Sequence, residues 1–144
     1  DNPDQHIEEG SALQDMLNLA LKHEHGAIVQ YANHAGLISA KLGNEYTDPI
    51  QSIINDEVRH SIVLARMLGK AGLKPTLAVW PPKTANNAQE MLNKDIAAEK
   101  GAVKLYGRII SLGLNEKMSE DISILQDAEK RHKRVFCDIL SEFD

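Results

Sequence analysis

Four stretches of this 144-residue sequence repeat their apolar residues at alternating steps of three and four, the spacing that lays a hydrophobic stripe along one face of an α-helix. The first stripe runs Leu13, Leu17, Ala20, Glu24, Ala27, Tyr31, Ala35, Ile38 and Leu42, with Gly43 placed to stop it. The second starts at Asp48-Pro49, read as an N-cap followed by a first-turn proline. It passes through Ile50, Ile53, Glu57, His60, Leu64, Met67 and Ala71 before Gly72 and Pro75 end it. The third runs Ala88, Leu92, Asp95, Glu99, Ala102, Tyr106 and Ile109 and stops near Gly113. The fourth opens on Ser119 as N-cap, with Glu120 and Asp121 in the first turn, and runs Ile122, Leu125, Glu129, His132, Phe136, Ile139 and Phe143. Helices are therefore expected over about 9–42, 49–71, 86–113 and 119–143.

Residues 73–85 carry Pro75, Pro81, Pro82 and Trp80, so they cannot continue a helix and form the longest connector. Short turns within each helix pair and one long link between the pairs predict an all-α fold, a four-helix bundle of two helical hairpins joined by a crossover. The crossover lets the second and third helices lie parallel. Trp80 is expected to anchor it against the bundle. A chain of 144 residues is the size of one domain, so residues 1–144 are read as a single unit.

A net charge of −5 argues against nucleic acid and anionic membrane as partners, since both require clustered Lys and Arg. No apolar run approaches the roughly 18 residues of a membrane-spanning helix. The one cysteine, Cys137, excludes an internal disulfide and any Cys-cluster metal site within one chain, and a cytoplasmic setting is expected. Small molecules and metal cations remain as partners. Apolar residues outside the stripes, Ile62, Val63 and Ile110, suggest a second packing surface and a homodimer.

A stripe that only packed would be apolar throughout, yet each of these is broken near its middle by a carboxylate, and two by a histidine as well. Glu57 and His60 form one ExxH, and Glu129 and His132 another, so each pair projects from one helix face. Glu24 and Glu99 supply lone carboxylates from the other two helices. Eleven Glu and six His in this length give about half an ExxH match by chance; the weight lies in the shared register with the apolar stripes. One Glu from each of two helices plus an ExxH from each of the others is the ligand set of carboxylate-bridged dinuclear proteins. Four unneutralised carboxylates in a low-dielectric core would repel one another, and two divalent cations would cancel their charge. Hard oxygens mixed with imidazole and no thiolate suit iron first, with manganese or a mixed pair as alternatives.

The pattern also repeats internally. Glu24 precedes Tyr31, and Glu99 precedes Tyr106, by the same seven residues, and each of those helices is followed by one bearing an ExxH. Tyr31 and Tyr106 can donate hydrogen bonds to ligand carboxylates or serve as plain core aromatics. Asp95, one turn before Glu99, is placed either to hold a ligand histidine by its second ring nitrogen or as a simple surface acid. His23, His25 and His34 flank the first stripe and are expected at the surface, and His6 in a loose terminus.

Four segments carry a resemblance to a known family: EHGAIVQY from Glu24 to Tyr31, DEVRH around Glu57 and His60, EMLNKDIAAEKGA through Glu99, and DAEKRH around Glu129 and His132. Across nearly its whole length the chain resembles the ferritin-like superfamily, bacterioferritin first and rubrerythrin second. The resemblance to bacterioferritin implies a di-iron ferroxidase centre that oxidises iron(II) with dioxygen or peroxide, liganded by residues at the positions of Glu24, Glu57, His60, Glu99, Glu129 and His132. It also implies bridging roles for Glu57 and Glu129, terminal roles for Glu24 and Glu99, and one histidine on each iron. Bacterioferritin has its haem-ligating methionine where this sequence has Val58, so no haem is expected. Rubrerythrins have a further carboxylate at the position of Ala102 and a Cys-containing domain, both absent from this sequence. A ferroxidase is the leading expectation. The alternatives are a peroxidase or oxidase with a fixed di-iron cofactor and an external electron donor, or a metal-binding module without turnover.

Overall fold

A computed structural model describes residues 5–143, and its architecture is four helices with a short 3-10 turn between the first two. Helix α1 spans Ala12–Leu42, α2 Thr47–Lys70, α3 Ala88–Ile110 and α4 Glu116–Ser141. Capping explains three of the four starts. The side chains of Ser11, Asn87 and Asn115 accept hydrogen bonds from the backbone N–H groups of Gln14, Glu90 and Met118, satisfying donors that the first helical turn leaves open.

Two expected starts are corrected. Helix α4 begins a turn before Ser119, because Asn115 is itself a strong cap with Glu116 behind it; the Ser119 N–H already bonds back to Asn115 O. Asp48 is not a cap either. The 3-10 turn Asn44–Tyr46 feeds directly into α2, leaving Asp48 and Pro49 inside its first turn, where a missing N–H costs nothing. Gly43 ends α1 as expected, at φ 82° with its N–H on Ser39 O.

The core is two apolar clusters rather than one. The first gathers Leu17, Leu21, Leu64, Leu68, Leu105, Tyr106, Ile109, Ile122 and Leu125; the second gathers Tyr31, Ile38, Ile50, Ile53, Leu92, Phe136 and Ile139. Along α1 and α4 the chain meets the first cluster and then the second, and along α2 and α3 the reverse. Helices α1 and α4 therefore run one way and α2 and α3 the other, with the crossover spanning the bundle. On every helix the carboxylate or ExxH pair falls between the two clusters.

The expected loose N-terminus is also corrected from residue 5 onward. Ile7 is buried in the first cluster, and the Gln5 side chain accepts the Asn115 N–H at 2.6 Å, although His6 is exposed. Of the three residues read as a second packing surface, Val63 and Ile110 pack against the first cluster and only Ile62 is well exposed.

The crossover lies along α1. Thr76 N–H donates to Asn18 Oδ1, Trp80 N–H to Lys22 O and Lys83 N–H to Gln30 Oε1, at 2.9, 3.0 and 2.9 Å. Trp80 is held by its backbone and remains 43% exposed as a residue, with Lys22 Nζ 5.4 Å from its ring centroid. The close approach needs a glycine: a Cβ on Gly26 would stand 2.5 Å from Trp80 O. His34, expected at the surface, is fully buried, because the crossover covers its face of α1. Its Nδ1 lies 2.7 Å from Asp95 Oδ1 and its Nε2 2.7 Å from Lys83 O. Both ring nitrogens thus face oxygen partners, one on α3 and one on the crossover.

Candidate metal centre

The structure brings all six residues of the sequence-derived set together between the two apolar clusters, each side chain buried. They form two groups, Glu24, Glu57, His60 and Glu129, and Glu57, Glu99, Glu129 and His132, in each of which one atom per residue lies within 4.8 Å of the others. Glu57 and Glu129 belong to both. His60 Nδ1 sits 2.9 Å from Glu24 Oε2, 3.1 Å from Glu129 Oε1 and 3.3 Å from Glu57 Oε1. His132 Nδ1 sits 3.3 Å from Glu57 Oε1, 3.4 Å from Glu129 Oε1 and 3.5 Å from Glu99 Oε1. The two rings stack at 6.0 Å, and the two groups, which exchange Glu24 and His60 for Glu99 and His132 about the shared Glu57 and Glu129, pair α1 with α3 and α2 with α4 as a pseudo-twofold would.

Protein groups alone do not satisfy this cluster. Glu24 Oε1, both oxygens of Glu57 and of Glu129, Glu99 Oε2 and His132 Nδ1 are sealed from solvent and make no hydrogen bond. Buried polar atoms are nearly always paired, and an orphan costs about 1–3 kcal/mol. Seven such atoms within two overlapping groups that could each hold a metal ion are suited by positively charged partners.

The electrostatics agree. Burial pushes the carboxyls of Glu24, Glu57 and Glu99 well above the usual carboxylate range, and neighbouring carboxylates push them further. Burial pulls His60 down, but the carboxylates of Glu129, Glu24 and Glu57 gathered against it outweigh that and raise it to about 12; His132 is raised in the same way by Glu129, Glu57 and Glu99. Glu129 is lowered despite its burial, because both imidazoles stand against it, at 3.1 and 3.4 Å from Oε1. Without metal, protons on imidazole and carboxyl stand where cations fit.

The supporting contacts differ in part from the sequence expectation. Tyr31 donates its hydroxyl to Glu99 Oε1 at 2.7 Å and packs its ring against Phe136. Its counterpart Tyr106 is buried with no hydrogen bond to its hydroxyl. Asp95 holds neither His60 nor His132: its Oδ1 takes Gln30 Nε2–H at 3.0 Å and faces His34, which ties it to the crossover. The carboxylate against the second nitrogen of a centre histidine is Asp56, whose Oδ2 lies 2.8 Å from His132 Nε2. Sequence reasoning missed Asp56 because it looked along stripes, and Asp56 points sideways toward α4 from the position before Glu57. His23 and His25 are half-buried against the crossover, His25 Nδ1 at 2.9 Å from Ala78 O.

A family profile described as a ferritin-like domain matches residues 14–134. The chain belongs to the ferritin-like family. A solved structure of a ferritin-like, diiron-carboxylate protein from Bacillus anthracis strain Ames is 25% identical in sequence and superposes with a TM-score of 0.82. The match covers 89% of this chain and 94% of that one. No curated protein matches the chain in sequence. Among the described residues no helix is long and apolar enough to cross a membrane.

Proposed function

We propose that this ferritin-like chain binds two iron ions through Glu24, Glu57, His60, Glu99, Glu129 and His132 and oxidises iron(II) with dioxygen or hydrogen peroxide. The observation that carries the reading is the set of seven orphaned donor atoms shared by two overlapping four-residue groups. Glu57 and Glu129, common to both groups, suit bridging positions, while Glu24 and Glu99 suit terminal ones. The mix of carboxylate oxygen and imidazole nitrogen fits iron, and manganese after it. The diiron-carboxylate character of the Bacillus anthracis relative and the resemblance of the four motif segments to bacterioferritin support the same assignment.

The ions would supply the redox chemistry; the chain holds and shields them. His132 is oriented for binding by Asp56, and Glu99 is steadied by the Tyr31 hydroxyl. The two apolar clusters keep bulk water from both ends of the centre. Binding divalent ions requires His60 and His132 to give up the protons they share with the carboxylates, so uptake releases protons and strengthens with pH.

Anaerobic titration of metal-free protein with iron(II), followed by air, tests the reading. It predicts saturation near two irons per chain, fast growth of near-ultraviolet ferric absorbance on aeration, and loss of both in Glu57→Ala. Continued oxidation beyond two irons marks iron(II) as substrate. Saturation at another stoichiometry refutes the six-residue assignment.

A further inference from the structure

The pseudo-twofold that relates Glu24 to Glu99, Glu57 to Glu129 and His60 to His132 also relates Asp56 to Ala128, since each immediately precedes the Glu of its ExxH. Asp56 reaches across from α2 to His132 Nε2 at 2.8 Å, and its other oxygen is held by the Arg59 guanidinium. Ala128 has no such group to offer His60. Among the described residues no protein acceptor meets His60 Nε2, whose ring is held from the Nδ1 side alone. One imidazole of the centre is therefore held at its distal nitrogen, with Nδ1 left free toward the carboxylates, and the other is held only at the nitrogen that faces them.

Resting on the two-metal reading, we infer that the two metal positions are unequal, with Asp56 making the His132 position the tight one and the missing partner at Ala128 leaving the His60 position exchangeable. The reason is general. A carboxylate accepting the distal N–H of a ligand imidazole fixes the tautomer, so the lone pair stays on the metal-facing nitrogen; it also locks the ring angle and raises ligand basicity. Loss of such a partner costs about 10–100-fold in metal affinity. At His132 the ring already presents Nδ1 to Glu57, Glu99 and Glu129 with Nε2–H committed to Asp56. At His60 nothing commits Nε2, so an ion there must also select the tautomer and hold the ring. Asp56 is a positioning residue, acting through His132.

The test is titration of metal-free protein with cobalt(II), which does not turn over with air under these conditions as iron(II) does, followed by d–d absorbance and calorimetry. Wild type is expected to fill in two steps. Repulsion between two ions would separate the steps even for equal positions, so the variants decide. In Asp56→Asn the tight step weakens about tenfold or more. Were the positions equal, the first ion would take the untouched His60 position and the tight step would stay put, overturning the inference. In Ala128→Asp the weak step tightens toward the strong one; should that variant not fold, Asp56→Asn still decides alone. Unfolding of metal-free Asp56→Asn separates a structural role from a positioning one: a general loosening would weaken both steps, which also overturns it. Absence of any cobalt binding in wild type would instead refute the two-metal reading itself.

Discussion

Replacing Glu57 by Gln should stabilise the metal-free protein while destroying the centre. Glu57 is fully buried, and neither of its oxygens makes a hydrogen bond, with His60 and His132 Nδ1 both standing off at 3.3 Å from Oε1. Burial first, then the charges of Glu129 and Glu99, raise its carboxyl well above 4.5. A raised carboxyl contributes stability that is whole below its unfolded-state value and drains away as pH rises toward the folded value. The amide does not titrate, so the variant escapes that loss. Removing one orphaned, charge-prone acceptor without changing volume is worth about 1–2 kcal/mol, the lower part of the range for a buried unsatisfied group. In chelator, chemical denaturation should find Glu57→Gln more stable than wild type by about that much at pH 8 and within about 0.5 kcal/mol of it at pH 5. With cobalt(II) at a hundred times its dissociation constant the order reverses, since binding adds about 2.7 kcal/mol to wild type alone. A variant less stable than wild type in chelator at pH 8, or an advantage equal at both pH values, would refute the claim that the carboxylates are held at a cost for metal.

Two further perturbations address the crossover. Gly26→Ala gains about 1 kcal/mol of helix propensity but forces Trp80 O back from 2.5 Å, straining the adjoining Trp80 N–H bond to Lys22 O; a net loss of about 1–2 kcal/mol in denaturant unfolding is expected, with the Trp80 emission shifted. His34→Ala removes the buried link between Asp95 and Lys83 O. It should cost about 2–4 kcal/mol and speed amide exchange selectively at Trp80 and Lys83, a pattern that uniform destabilisation would not give.

The fold and the six-residue cluster could be read from sequence for one reason: both depend on the same 3.6-residue period. Leu17, Ala20, Glu24, Ala27 and Tyr31 share one face of α1 whether the helix packs or binds, so a carboxylate in that series announces its own burial. The proline-bearing connector was equally plain, because Pro75, Pro81 and Pro82 forbid helix regardless of context. His34 and Asp56 escaped because each lies off its stripe, and their partners come from elsewhere. His34 is buried by a crossover that has no periodicity to reveal where it lies, and Asp56 is engaged by a ring 76 residues away on α4. The helix start expected at Ser119 failed because Asn115, four residues earlier and off the apolar stripe, caps the helix with Glu116 behind it. Asp95 shows the reverse case. Of its two expected roles the surface acid fails because Asp95 is fully buried, and the histidine it meets is His34 of α1, beneath the crossover, rather than one of the centre's.

The division of the core into two clusters explains how the chain tolerates four carboxylates in its middle. Each end carries its own set of fully buried side chains, Leu17, Leu64, Leu68, Ile109 and Ile122 at one and Tyr31, Ile50, Leu92 and Phe136 at the other. These bring the four helices into register without help from the centre. The strained belt between them then needs only to be held in place, not to hold the bundle together, which is the preorganisation a metal site requires. Rigid ends also limit how far the carboxylates can relieve their repulsion by moving apart. Protonation and ion binding are the remaining outlets, and under the proposed function the second would neutralise the orphaned oxygens together. The same architecture localises variation: a substitution such as Ala at position 128 alters one histidine's support while leaving both apolar clusters and the opposite histidine unchanged, so the two positions of the centre can diverge within a bundle that stays pseudo-symmetric.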